Sequence, residues 1–407
     1  MTDTLDRAVS NAMGGAGRAA DGVLARLEES AALLRAARVL FVLFVFGTFA
    51  AISLNGFYQK WGFRDGDGAW DGDVRYSFVS MIEGEAHKPF VYRQLLPKTA
   101  NAFEAATPEP VKEWLLERMR GEGWWEVHNL VEQLRLDPAL HDDYLLRYEF
   151  IYYASFLFMF GALFVLREVA REMGTGEPAA TIAPCLFSIV FVYAMSMGGF
   201  FYDFPEVFFL ALAALLAMRG RWGWLVPVTA LATFNKEVFV AFVPMLFPFL
   251  RARMTTTQTL AVTGGLIAVA AAVYLGARLE YADNPGGTES WLKESIKFYA
   301  DVRNLIAFEV NFGMETPRAY SLPTFVLLAL LVIFGWRRMP ATMQQHGVLA
   351  FVLNTVLVLL FCGPGEMRNF SLCFIALFAL IAQNLANWTR ANTAGVGAIA
   401  SRPAGST

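Results

Sequence analysis

Charge is scarce in this chain. Of its 407 residues only 17% are Asp, Glu, Lys or Arg, against about 25% in soluble domains, and that shortage excludes an ordinary water-facing surface. Cysteine is scarce as well. Cys185, Cys362 and Cys373 lie inside or at the ends of apolar runs, which excludes a disulfide framework or CxxC ligation and leaves them as small hydrophobes. The histidines, His87, His128, His141 and His346, are scattered without metal-ligand spacing. A net charge of −3 gives no basic face for nucleic acid. No GxSxG, HExxH, P-loop or dinucleotide fingerprint occurs in the strand–helix context it needs. No internal repeat of the kind that builds inverted-repeat transporters is visible.

What the chain has instead is hydrocarbon: 56% hydrophobic residues, with 36 Phe and 10 Trp. An apolar run of about 20 residues spans a bilayer as a helix. Candidate spans are 39–56, 148–166, 179–199, 205–218, 222–235, 237–250, 258–277, 319–336, 347–362 and 369–387. The expectation is an all-α polytopic membrane protein of about ten transmembrane helices. Short loops rich in Lys and Arg face the cytoplasm. With the amino terminus inside, that side collects Arg167, Arg171, Arg219, Arg251, Arg253 and Arg337, among others, while the short outer turns carry only Lys236 and Arg368. The first run shows no A-x-A-like cleavage site and reads as a retained anchor.

Three regions follow. Residues 1–38 read as a cytoplasmic tail ending in an amphipathic helix, Leu24, Leu27, Leu33 and Leu34 against Arg26, Glu28, Glu29 and Arg35, lying on the membrane surface. Residues 39–387 form the transmembrane domain, and 388–407 a disordered cytoplasmic tail. Two outer loops, 57–147 and 278–318, are expected to carry short helices that cover an outward-facing cavity. Connections of that length are usually functional.

Ionisable residues interrupt the apolar runs at Asp203 and Glu206, at Asn235-Lys236-Glu237, and at Glu366 and Arg368. Threading the runs through a bilayer puts all of them on one face, together with the first loop. A charge near hydrocarbon costs a few kcal/mol on insertion scales, so such groups face a wet cavity or pair. Each site also has a bland role: Asp203 as an N-cap before Pro205, the others as internal ion pairs. The first loop opens Asp65-Gly66-Asp67-Gly68-Ala69-Trp70-Asp71-Gly72-Asp73, where glycines let carboxylates converge. One carboxylate could be a general base, or several could hold a hard divalent cation (Mg, Mn or Ca). The spacing does not fit an EF-hand. Further on, Tyr92-Arg93 sits between apolar residues, its fork of donors matched to phosphate oxygens.

In order, Phe90 to Pro97, Tyr202 to Pro205, Asn235 to Glu237 and Glu366 to Arg368 resemble the motifs of bacterial integral-membrane proteins similar to GT-C glycosyltransferases. The resemblance covers residues 39–387. It implies a GT-C-like architecture in the cytoplasmic (inner) membrane and a sugar donor linked to polyprenyl phosphate. The sugar would pass to a glycan or protein acceptor on the outer, periplasmic or extracellular face. By position it makes Asp73 or Asp71 the catalytic base, with Asp65 and Asp67 as metal candidates. Arg93, Lys236 and Arg368 would hold the lipid phosphate. Tyr92, Asp203, Glu206, Glu237 and Glu366 would complete the substrate site. The departure from the pattern is four Asp in nine residues where one is expected. Two other classes remain open: a carrier or flippase for an anionic lipid or solute, and a non-catalytic assembly subunit.

Overall fold

The computed structural model describes residues 31–61, 75–119, 141–287, 290–311 and 314–400. The chain divides into two compact units, Met1–Thr48 and Phe49–Thr407. Helix α1 (Ala31–Lys60) supplies the described part of the first unit, a continuous helix with Leu40, Phe41 and Phe44 exposed. Residues 1–30 of the expected surface tail lie outside the described residues. From Ala31 onward that segment is already α1, because its leucines run into the apolar stretch without a helix breaker.

The second unit opens with the end of α1 and continues through α2 (Phe78–Glu83), α3 (Leu95–Ala106) and α4 (Glu109–Met119) of the first loop. Next come α5 (His141–Glu172), α6 (Glu177–Ala194), α7 (Asp203–Met218), α8 (Trp222–Asn235), α9 (Phe239–Phe242) and α10 (Phe247–Arg251). They are followed by α11 (Thr256–Glu280), α12 (Leu292–Ala300), strands β1 (Phe308–Asn311) and β2 (Met314–Pro317), α13 (Leu322–Gly335), α14 (Ala341–Phe361) and α15 (Phe374–Ala400). Among the described residues, 6 helices are long and apolar enough to cross a bilayer: Leu33–Lys60, Tyr144–Glu172, Glu177–Ala194, Thr256–Glu280, Ala341–Phe361 and Met367–Arg390. The protein is therefore a multi-pass, all-α membrane protein.

The other four expected spans resolve into shorter pieces. Helices α8 and α13 have 14 residues each, about 21 Å at 1.5 Å per residue, short of the ~30 Å hydrocarbon core. The stretch after Glu237 is broken into α9, a 3-10 turn at Val243–Leu246 and α10. Pro244 and Pro248 remove backbone donors there, and a proline ring tolerates only the first turn of a new helix. At the other end of the chain α15 runs to Ala400, past the end of the last apolar run. Alanine, the best helix former, recurs there.

Helix α7 is buried almost all round, as a central helix must be. It packs against α5 on one side and α8 on the other, while α15 packs against α6. Gly161 eases this packing: a Cβ there would lie 3.1 Å from the Phe208 ring, which would have to shift by a few tenths of an ångström. The final long segment is 67% buried and Thr256–Glu280 only 22%, which puts the one inside the bundle and the other at its lipid-facing edge.

The second loop contains the expected short helix, α12, and also an antiparallel hairpin that the sequence did not announce, β1 paired with β2 from Phe308↔Pro317 to Asn311↔Met314. Strands of four residues are too short to display a period of two. Lys60 at the end of α1 donates to Glu309 at 2.9 Å and also to Asn311, fixing the hairpin. Backbone links tie the remaining loops down: Trp291 N–H to Leu360 O at 2.8 Å, and Gln94 N–H to Phe234 O at 3.0 Å. The second link seats Arg93 beside the end of α8.

Candidate functional site

The cluster starts at the turn before α7. Asp203 and Glu206 occupy the first turn of that helix, where unpaired backbone N–H groups and the helix dipole favour negative charge. Lys236 follows the last residue of the neighbouring α8, where the same dipole favours a cation. Its extended backbone (φ −157, ψ 120) ends α8 and turns the ammonium inward. Lys236 Nζ lies 3.0 Å from Asp203 Oδ1 and 2.6 Å from Glu206 Oε2. Asp203 is not the expected N-cap, a position that Tyr202 takes with no side-chain cap hydrogen bond: its Oδ2 accepts the Phe200 N–H at 2.9 Å while its carboxylate also meets Arg368 Nη1 at 3.2 Å.

Arg368 comes from the 3-10 segment Met367–Cys373. Its Nη2 donates to Glu366 Oε2 at 2.8 Å, and Ser371 on the same segment donates to Glu206 Oε1 at 2.6 Å. Arg93 follows the 3-10 turn Phe90–Tyr92 and grips Glu237 through both arms of its fork, Nη2 to Oε1 at 2.8 Å and Nε to Oε2 at 3.2 Å. Burial works against charge on Arg93, but the Glu237 carboxylate outweighs it and holds the guanidinium above its ordinary pKa.

Tyr202 is the hub. Its hydroxyl accepts from Arg93 Nη1. Its ring lies 4.5 Å from the Arg93 guanidinium and 5.6 Å from Lys236 Nζ. Phe200 stacks on it at 4.9 Å and carries Arg368 at 4.8 Å over its own ring. Rings of this kind attract cations by about 0.5–2 kcal/mol, so the aromatic pair gathers positive groups that would otherwise repel. Asn235 donates to Tyr202 O at 2.9 Å and pins the hub to α8.

Arg93, Lys236, Arg368, Asp203, Glu206, Glu237 and Glu366 therefore converge, as one continuous network of ion pairs linked through Tyr202. Tyr92 is buried against Tyr274 of α11, ring centroids 5.8 Å apart, at the edge of the cluster where Glu237 acts on it electrostatically. Asp65, Asp67, Asp71 and Asp73 lie outside the described residues. Among the described residues no group of three or more His, Cys, Asp or Glu is placed to hold a metal. Sequence reasoning passed over Phe200 and Ser371, and it held Tyr202 and Asn235 inside motifs without giving either a role of its own. The available signal was the aromatic run Phe200-Phe201-Tyr202 directly ahead of Asp203.

The four carboxylates outnumber the three cations, and every cation has a carboxylate partner. Exposure separates two kinds of acid. The Asp203 and Glu206 side chains are 2% and 5% exposed, whereas Glu237 and Glu366 are 22% and 27% exposed. The inner pair is locked; the outer pair sits at the rim. Two polar atoms of the cluster, Arg368 Nε and Asn235 Oδ1, are buried without a hydrogen-bond partner among the described residues. Compared with protein-family models, curated proteins and solved structures, the chain matches none of them.

Proposed function

We propose that this protein is a GT-C-like glycosyltransferase that moves a sugar from a polyprenyl-phosphate donor to a glycan or protein acceptor. It would work on the outer face of the cytoplasmic membrane, with its amino terminus inside and about ten helical crossings, four of them shorter pieces, of which those at α7, α8 and α9–α10 adjoin the cluster. The observation that carries this reading is the convergence of Arg93, Lys236 and Arg368 around Tyr202. A group aimed at developing negative charge is commonly the largest single catalytic contribution.

In the proposed reaction the acceptor hydroxyl attacks the anomeric carbon and the bond from that carbon to the phosphate oxygen breaks. The polyprenyl phosphate leaves with the electron pair, and the hydroxyl proton passes to Asp73 or Asp71. The donor phosphate displaces the rim carboxylates Glu237 and Glu366 and takes their place on Arg93 and Arg368. Asp203 and Glu206 stay and orient Lys236. A divalent cation held by Asp65 and Asp67 belongs to the same proposal.

The test is release of polyprenyl phosphate and transfer of label from polyprenyl-phosphate sugars by the purified protein in membrane vesicles. Asp71→Asn combined with Asp73→Asn is expected to abolish transfer and leave lipid-phosphate binding within about twofold. Full transfer by the double variant would refute the assignment. One observation favours a second reading, a non-catalytic membrane subunit: each cluster cation is already neutralised, as in a purely structural network. For orientation, Arg303, whose side chain is 84% exposed, replaced by Cys should label from outside the cell and not from the cytoplasm.

A further inference from the structure

The end of the bundle away from the ion cluster carries charge of a different kind. Helix α7 runs 16 residues from Asp203, about 24 Å at 1.5 Å per residue, and α8 begins and α10 ends beside its far end. The arginines there divide into two sets. Arg219 meets Glu168 and Glu172 at 2.7 Å each, while Arg167 and Arg171 both meet Glu177. That set is neutralised by α5 and α6. Arg221, Arg251 and Arg253 are exposed, and among the described residues none of them has a carboxylate partner. The sequence supplies none nearby: between Glu206 and Glu280 the only acid is Glu237, which lies in the cluster at the opposite end.

The second set converges because two turns of the chain pack on each other. After α7 the backbone closes through Gly220, and the Arg221 N–H returns to Leu216 O at 2.8 Å. A Cβ on Gly220 would lie 3.5 Å from both Cβ and Cγ of Arg253, so the Arg253 stem runs across that turn. Its Nε donates to Met218 O at 2.9 Å, one of the carbonyls that a helix end leaves without an intrahelical partner. Arg251, two residues earlier, gives Nη1 to Met254 O at 2.9 Å. A guanidinium has five N–H donors, so most of the donors in this set are uncommitted. Three like charges around one turn repel each other unless an anion joins them.

The surface next to these arginines says what the anion is attached to. Trp222 and Trp224, beside Arg221, are 52% and 67% exposed, and tryptophan is the residue that marks the bilayer interface. Trp224, Pro227 and Leu231 are all exposed and form one stripe along α8. Helix α11 packs on α8 and exposes Leu260 and Ile267, one stripe of its own. Apolar, lipid-facing helix surface thus continues from the cationic turn, where a free phosphate gains nothing and an acyl chain does. We propose that Arg221, Arg251 and Arg253 bind the headgroup of an anionic phospholipid, preferring one with two phosphates to one with a single phosphate. Arginine forks take phosphate oxygens two at a time, and basic pockets between helices hold such headgroups. This goes beyond the transferase reading and does not rest on it.

The test is native mass spectrometry of the detergent-solubilised protein with cardiolipin, phosphatidylglycerol or phosphatidylcholine added at equal concentration. Cardiolipin is expected to bind about fivefold more tightly than phosphatidylglycerol, the worth of one added charge contact, and phosphatidylcholine most weakly. Arg221→Gln, Arg251→Gln and Arg253→Gln combined should weaken cardiolipin binding by more than about tenfold. Arg167→Gln with Arg171→Gln removes charge from the same end, but charge already paired, and should leave binding within about twofold. Equal losses from the two sets would reveal a general charge effect and overturn the site. Displacement of cardiolipin by millimolar inorganic phosphate would show an anion site without a lipid and overturn it too. Equal binding of cardiolipin and phosphatidylglycerol overturns the two-phosphate preference. Equal binding of cardiolipin and phosphatidylcholine by the wild type overturns the whole inference, a comparison that holds even if the triple variant does not fold.

Discussion

Arg368 and Asp203, 165 positions apart in the chain, meet at 3.2 Å with side chains only 7% and 2% exposed. Asp203 also receives Lys236 at 3.0 Å, so one carboxylate neutralises two buried cations. Removing one partner of a buried pair leaves an uncompensated charge and costs about 3–5 kcal/mol. Asp203→Ala should therefore lower the thermal midpoint in detergent far more than Glu366→Ala, whose carboxylate is partly solvated and whose loss leaves Arg368 its inner partner. Melting curves that rank the two variants the other way would remove Asp203 from the centre of the network.

Arg93 makes a two-armed contact with Glu237 while its Nη1 also reaches Tyr202. A lysine keeps the charge but can only point at it. Arg93→Lys should lose about 1.5–3 kcal/mol, the cost of a charged hydrogen bond in a site that water barely enters, and so behave more like Arg93→Gln than like the parent protein. A side-by-side thermal melt of the three proteins checks this, and near-parental stability for the lysine variant would show that charge alone is what the site needs.

Much of this site was legible in the sequence because charge is expensive in an apolar run. Asp203, Lys236 and Arg368 stand out for that reason alone, and their common sidedness follows from counting crossings. Tyr202 stood in a motif, but its part as hub was not legible, since one more aromatic among 36 Phe and 13 Tyr carries no mark of its hydroxyl partner. The direction of Tyr92 was not legible for a related reason: adjacency to Arg93 in the chain says nothing about direction when a 3-10 turn rotates successive side chains by a third of a circle.

Gly365 adopts φ +86, and a Cβ there would fall 2.7 Å from the Phe298 ring of α12. The left-handed backbone costs a non-glycine residue about 1–2 kcal/mol, and the ring would have to move as well. Gly365→Ala should loosen α12 from the turn that carries Glu366 and Arg368. Hydrogen exchange over residues 292–300 is the measurement: faster exchange is expected there and unchanged exchange in α5, while identical protection would show that the loop is held elsewhere.

The Arg303 side chain, then its backbone N–H, hold the Asp301 carboxyl down at about 2. A depressed carboxylate stabilises its turn fully above the unfolded value of about 3.9 and loses that contribution as pH falls toward about 2. Arg303→Gln should raise the Asp301 pKa toward about 3.9, visible as a shifted carboxyl titration by NMR. A titration that stays near the parental value would assign the shift to the backbone N–H.

Glu237 and Glu366 provide the sharpest separation between a working site and a structural one. Each is the rim partner of a cation whose deeper contacts persist without it: Arg93 keeps Tyr202, and Arg368 keeps Asp203. If a lipid phosphate must displace these two carboxylates, neutralising them removes both the competitor and its repulsion. Glu237→Gln combined with Glu366→Gln should then tighten phosphate-lipid binding by about tenfold, equivalent to ~1.4 kcal/mol, while lowering the thermal midpoint of the unliganded protein. A purely structural network responds differently, because the double variant loses stability and gains nothing for a phosphate. Measuring both quantities on one preparation decides it: reduced stability with unchanged or weaker lipid binding would leave the cluster as packing glue and end the transferase proposal at its cation site.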